Sequence, residues 1–212
     1  MTKIYDISQT IRGGIPVWPG DTPFALETTW GIGPECPVNV SKLTLSTHTG
    51  THADAPLHYT ENGADSATSS LSPYIGAAIL VDASSSVSSG ASLTRSTLAQ
   101  LLPAAVPERV LIKLFDRNTV EIWPTGFPAI ESDAIELLAE KGVKLIGTDT
   151  PSLDPETSKT MDAHMAVARN NMAILEGLVL DGVTPGAYEL IALPLKIEGA
   201  DASPVRAVLR DI

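Results

Sequence analysis

Eleven consecutive residues constrain this chain more than any other segment. They run His48-Thr49-Gly50-Thr51-His52-Ala53-Asp54-Ala55-Pro56-Leu57-His58 and hold three of its four histidines. A fold that carries them has to gather several imidazoles and a carboxylate in one place, the raw material of a transition-metal site. His48, His52, Asp54 and His58 all sit at even positions. In extended backbone alternate side chains share a face, so the four are expected to project together. A helix would also align His48 with His52, but Gly50, two threonines and Pro56 argue against a helix interior.

Around this run the chain of 212 residues reads as one domain, 1–212, long enough for a single buried core. Short strands are expected at Ile4–Ile7 and, by alternation, at Val38–Thr47 leading into the histidines. Gly76–Val81, Val110–Leu114, Val143–Gly147, Ile174–Leu180 and Leu190–Ile197 are apolar runs that suit buried strands, and Val205–Leu209 closes the chain. Thr94–Leu102, Ser132–Lys141 and Met161–Asn171 read as helices, with residues 83–92 a Ser-rich loop. Strands interleaved with helices predict an α/β domain whose mixed sheet curls toward a barrel, flanked by helices.

Composition excludes several classes of function. Twenty-five acidic residues against fourteen basic ones give a net charge of -11, which repels phosphate backbones and makes nucleic acid an improbable partner. Cys36 is the only cysteine, so no intrachain disulfide and no cysteine-based zinc site can form. The first dozen residues lack the apolar stretch of a signal peptide, and no run approaches the ~20 apolar residues that span a bilayer. A cytoplasmic protein without a membrane partner is expected. The serine-hydrolase elbow, the H-E-x-x-H zinc motif, the Walker loop and a complete G-x-G-x-x-G are all missing.

The residues themselves suggest a first ion on His48, His52 and Asp54. The fourth histidine, His164, and Glu176 lie far downstream. If the helix from Met161 and the strand from Ile174 fold back, these two with Asp54 could hold a second ion roughly 3.5–4 Å from the first. A helix-face histidine and a solvated glutamate are equally commonplace, so this pairing stays open at the level of sequence. His58, just past Pro56, suits a free acid–base imidazole, with a further metal ligand as the alternative. Trp18 between Val17 and Pro19 reads by itself as a packing residue.

The pattern His48-x-Gly50-Thr51-His52-x-Asp54-x-Pro56-x-His58 resembles the signature of the metal-dependent cyclase family, which includes bacterial kynurenine formamidases (arylformamidases) and isatin hydrolases. Other segments agree along nearly the whole chain: Asp6-Ile7-Ser8, Val17-Trp18-Pro19-Gly20-Asp21, Gly147-Thr148-Asp149-Thr150-Pro151-Ser152, Ile174-Leu175-Glu176-Gly177-Leu178, Gly199-Ala200-Asp201 and Pro204-Val205-Arg206. Ser203 departs mildly, where relatives often carry glycine. Within the family the resemblance is greatest to the kynurenine formamidases. It implies two zinc ions per subunit: His48, His52 and Asp54 would hold one, and Asp54, His164 and Glu176 the other, with Asp54 bridging. It also implies His58 as proton donor and acceptor, Trp18 lining the pocket, a homodimer, and N-formyl-L-kynurenine as the small-molecule substrate. An isatin-type hydrolase and a non-catalytic metal-binding protein are the competing expectations.

Overall fold

Nine of the strands join one mixed sheet in the computed structural model, which describes residues 2–117 and 120–212. In chain order the strands are β1 (Ile4–Asp6), β2 (Ala25–Trp30), β3 (Val40–Thr44), β4 (His52–Asp54), β5 (Ile75–Asp82), β6 (Ser92–Leu93), β7 (Arg109–Lys113), β8 (Ala129–Ile130), β9 (Leu145–Thr148), β10 (Ala173–Glu176), β11 (Gly186–Ile191), β12 (Ala202–Pro204) and β13 (Val208–Arg210). The helices are α1 (Arg95–Leu101), α2 (Ser132–Glu140) and α3 (Asp162–Arg169). The large sheet runs β1-β13-β11-β5-β7-β9-β10-β4-β12. Its centre, β5-β7-β9-β10, is parallel, and antiparallel strands extend it on both sides.

The unbroken apolar runs of the central strands follow from burial on both faces. Val110, Ile112, Ile146 and Ile174 point to the side covered by the three helices and pack with Leu98, Ile135, Leu138 and Val167. Leu111, Leu145 and Leu175 point the other way, where the sheet curls over Ile7, Tyr74, Leu178, Leu190 and Leu209. The curled α/β architecture expected from the sequence is therefore present.

Several expectations for local structure need correction: Ile174–Leu180 is strand only through Glu176, and Val205–Leu209 only from Val208. The run 48–58 is not one extended segment: only His52–Asp54 is strand, His48 lies in the turn before it, and Pro56–His58 forms a 3-10 turn. Gly50, with φ +67°, breaks the alternation. The apolar run Leu190–Ile197 is strand only through Ile191, the end of a strand that starts at Gly186; residues 192–197 lie outside any strand. β3 falls inside the expected strand 38–47 and pairs with β2 in a hairpin whose two strands are exposed along their whole length, so no buried face marks β2 in the sequence.

Candidate metal centre

β4 sits near one edge of the large sheet, between β10 and β12. Along it, His52 and Asp54 face one way while Ala53 turns into the core. The antiparallel register sets Glu176 of β10 directly opposite His52. Residues 124 positions apart thus become cross-strand neighbours, and Glu176 Oε2 lies 3.5 Å from His52 Nε2. Two glycines permit this closeness. A Cβ on Gly177, whose φ is +64°, would meet the Gly50 carbonyl oxygen at 2.5 Å. The Gly177 carbonyl in turn accepts hydrogen bonds from Thr51 Oγ1 and Gln9 Nε2.

α3 supplies His164 from its first turn. One buried carboxylate fixes that ring: Asp154 accepts the backbone N–H groups of Ala163 and His164, and Nδ1–H of His164 at 2.6 Å. The opposite nitrogen, Nε2, then points inward, 3.3 Å from Asp54 Oδ2 and 3.6 Å from Glu176 Oε1. His52 is oriented in the same manner, with Nδ1 donating to the Gly50 carbonyl at 3.0 Å. His48 Nδ1 and His52 Nε2 approach Asp54 Oδ1 at 3.2 and 3.5 Å. The ring of His58 lies 4.3 Å, centre to centre, from that of His48. The structure therefore gathers His48, His52, Asp54, His58, His164 and Glu176 around one point.

A cation fits this donor set on two observations. His52 Nε2 and Asp54 Oδ1 are buried yet make no hydrogen bond, although each is close to other donor atoms. Atoms that converge without bonding to one another are arranged for a third body. Among the described residues, two groups of potential ligand atoms lie mutually within 4.8 Å: His48, Asp54 and His58, and His52, Asp54 and Glu176. This partition differs from the one the family resemblance implies, and it puts His58 within reach of an ion. The electrostatics agree with a cation site. Burial lowers the affinity of His48 for a proton, but Asp54 and Asp201 outweigh it and lift its pKa to about 9. Burial likewise opposes protonation of His164, and Asp154 with Asp54 raises it to about 10. Burial would push the Asp54 carboxyl up, yet His164, His48 and His52 hold it well below the usual carboxylate range. The pocket demands positive charge, as protons or as metal.

Above the ligands opens a cavity of about 330 Å³. Trp18, Phe115, Ile122 and Trp123 line it on one side. Trp18 packs edge-to-face on Trp123 at 5.3 Å, and both approach Phe127. Glu156 holds Trp123 in place by accepting its indole N–H and the Gly126 amide. Asp149 accepts the amides of Leu114 and Phe115, and burial raises its pKa to about 7. Arg12 and Arg206, both conceivable anchors for a substrate carboxylate, instead pair with Glu121 and Asp6, and neither lines the cavity. Ser203 is buried away from the ligands, accepting the Leu195 amide.

Residues 5–155 match the Cyclase family model. The chain belongs to the cyclase family. Along its full length this cyclase is 54% identical to a kynurenine formamidase of Maricaulis maris, with complete coverage of both chains. It is 50% identical to another from Erythrobacter litoralis, over 99% of this chain and 94% of the relative. Among solved structures, a "predicted metal-dependent hydrolase" from Bacillus stearothermophilus superimposes with a TM-score of 0.84 at 30% identity over all of both chains. Isatin hydrolase A from Labrenzia aggregata shares the fold, with a TM-score of 0.86 at 23% identity over 99% of this cyclase and 94% of that chain.

Sequence reading did not assign Asp149, Asp154, Glu156 or Asp201 any role. Asp149 and Asp201 fall in segments that carry the family resemblance, a signal without a stated job. Asp154 and Glu156 carry no local signal, because what they do depends on partners nine to thirty-three residues away.

Proposed function

We propose that this cyclase is an arylformamidase, converting N-formyl-L-kynurenine and water to L-kynurenine and formate, a step of tryptophan degradation through the kynurenine pathway. The observation that carries this reading is the full-length identity of 50–54% to relatives named kynurenine formamidase. We assign two Zn2+ ions per subunit: one to His48, His52 and Asp54, the other to Asp54, His164 and Glu176, with Asp54 bridging. Three imidazoles and two carboxylates without thiols suit zinc, and the unbonded His52 Nε2 and Asp54 Oδ1 support the assignment. When bound, such ions supply Lewis acidity and bring the pKa of water to about 7.

The remaining work falls to the chain. Trp18, facing Trp123, offers the aryl ring of the substrate a flat apolar wall. His58, exposed to the cavity, takes a proton from the attacking water and returns it to the aryl nitrogen as that bond breaks. Without that proton the leaving group would be an anilide anion, a poor one. The test is to incubate the purified protein with N-formyl-L-kynurenine and with isatin, before and after chelation. Formamidase turnover that chelation abolishes and zinc restores is the expected result. Turnover of isatin alone, or full activity of demetallated protein, overturns the proposal. His58→Ala is expected to keep its zinc while losing most turnover; loss of zinc instead makes His58 a ligand beside His48 and Asp54.

We also propose a cytoplasmic homodimer. The β2–β3 hairpin exposes Leu26, Trp30 and Leu43, each by more than half its surface, and is itself too thin to bury them. The same chain also exposes Leu71, Ile75, Leu193, Leu195 and Ile197. Contact between the hairpins of two copies would cover Leu26, Trp30 and Leu43.

A further inference from the structure

We infer that Asp201 is a positioning residue, holding His58 as its Nδ1–H tautomer and anchoring His48 with the same carboxylate oxygen. Asp201 stands just before β12 and is tied to the end of β4, because its carbonyl accepts the Ala55 amide at 2.9 Å. Its side chain is placed from the other oxygen, Oδ1, which accepts Thr47 Oγ1–H at 2.8 Å. Oδ2 then faces two imidazoles at once, His48 Nε2 at 3.2 Å and His58 Nδ1 at 3.4 Å.

An ionised carboxylate accepts and cannot donate, so His48 Nε2, in hydrogen-bonding contact with it, presents N–H, and the same negative charge 3.4 Å from His58 Nδ1 favours the proton on that nitrogen too. For His48 this leaves Nδ1 with its lone pair directed at Asp54 Oδ1, where a ligand is needed. For His58 it leaves Nε2 as the proton acceptor. That ring can then take a proton from water at Nε2 and hand the same proton to the departing nitrogen, finishing in its starting tautomer. One carboxylate thereby couples the hold on metal to the readiness of the proton carrier. The inference rests on the role proposed above for His58.

Ring tautomers can be read directly by long-range 1H–15N correlation on zinc-loaded protein labelled in histidine, with His58→Gln assigning the His58 signals. The wild-type ring is expected to show a protonated Nδ1 and an unprotonated Nε2, and Asp201→Ala to lose that preference. With zinc restored to full occupancy, Asp201→Ala is expected to remain roughly 10–100-fold down in kcat with KM little changed. Asp201→Glu should recover part of the loss. Asp201→Asn, which keeps the volume, reports the same effects should the alanine variant fail to fold. A wild-type His58 protonated at Nε2 overturns the inference. So does a variant whose kcat returns fully once zinc is replaced, since Asp201 would then act through His48 alone. The spectrum needs no substrate, so a wild-type protein without formamidase turnover would sink the proposed function and leave the tautomer to judge Asp201.

Discussion

Asp54 is wholly buried, with histidine nitrogens on both sides of its carboxylate: His48 and His52 toward Oδ1, His164 toward Oδ2. Without metal, that arrangement is satisfied by protons, and its pH dependence follows. His48 and His164 have folded pKa values raised to about 9 and about 10 above the ordinary 6.5. The folded state then binds more protons than the unfolded one, and the stability this confers is complete below 6.5 and is lost as pH rises through 9 and 10. Zinc reverses the trend, because it needs those imidazoles neutral. Thermal unfolding between pH 6.5 and 9 should therefore show metal-free protein weakening with rising pH and zinc-loaded protein strengthening. Parallel curves would contradict histidine ligation. A second expectation concerns the neighbour of His164. Asp154→Asn removes the charge that accepts Nδ1–H and two helix amides, and should lower zinc affinity by roughly 10–100-fold in chelator competition.

Elements meet here by register. β4 contributes His52 and Asp54 on one face, and β10 delivers Glu176 opposite His52 only because Gly177 can pass close under Gly50. Gly177→Ala forces a β-carbon against a backbone carbonyl at a left-handed φ, and should cost on the order of 1–3 kcal/mol of stability. Because the displaced strand end carries a ligand, zinc affinity should fall in the same variant. A change in stability with zinc binding intact would show that β10 does not position Glu176. The helices were legible from the sequence to within two residues at either end, since α1, α2 and α3 carry ordinary helix patterns. β6 and β8, two residues each, leave no periodic trace and were invisible.

For the whole molecule, the exposed apolar side chains of the β2–β3 hairpin set the expected assembly. Light scattering should report twice the mass of one chain. Leu26→Asp with Leu43→Asp should give monomers, since each buried leucine is worth roughly 1.5–3 kcal/mol. Both residues are exposed in the isolated chain, so the monomer should stay folded by circular dichroism. A dimer that survives the double substitution places the interface elsewhere.

From its order of residues alone, the chain declared which chemistry it carries: imidazoles and a carboxylate packed into eleven positions, and apolar runs whose central members form strands buried on both sides. Those are local facts, because donor type and hydrophobic period are written in neighbouring residues. Which distant groups join them was decided by folding. The opposition of His52 and Glu176, the turn of His164 onto Asp54, and the carboxylates of Asp154 and Asp201 behind the rings all depend on strand register and loop closure. No single stretch of sequence records a contact whose two halves lie more than a hundred residues apart.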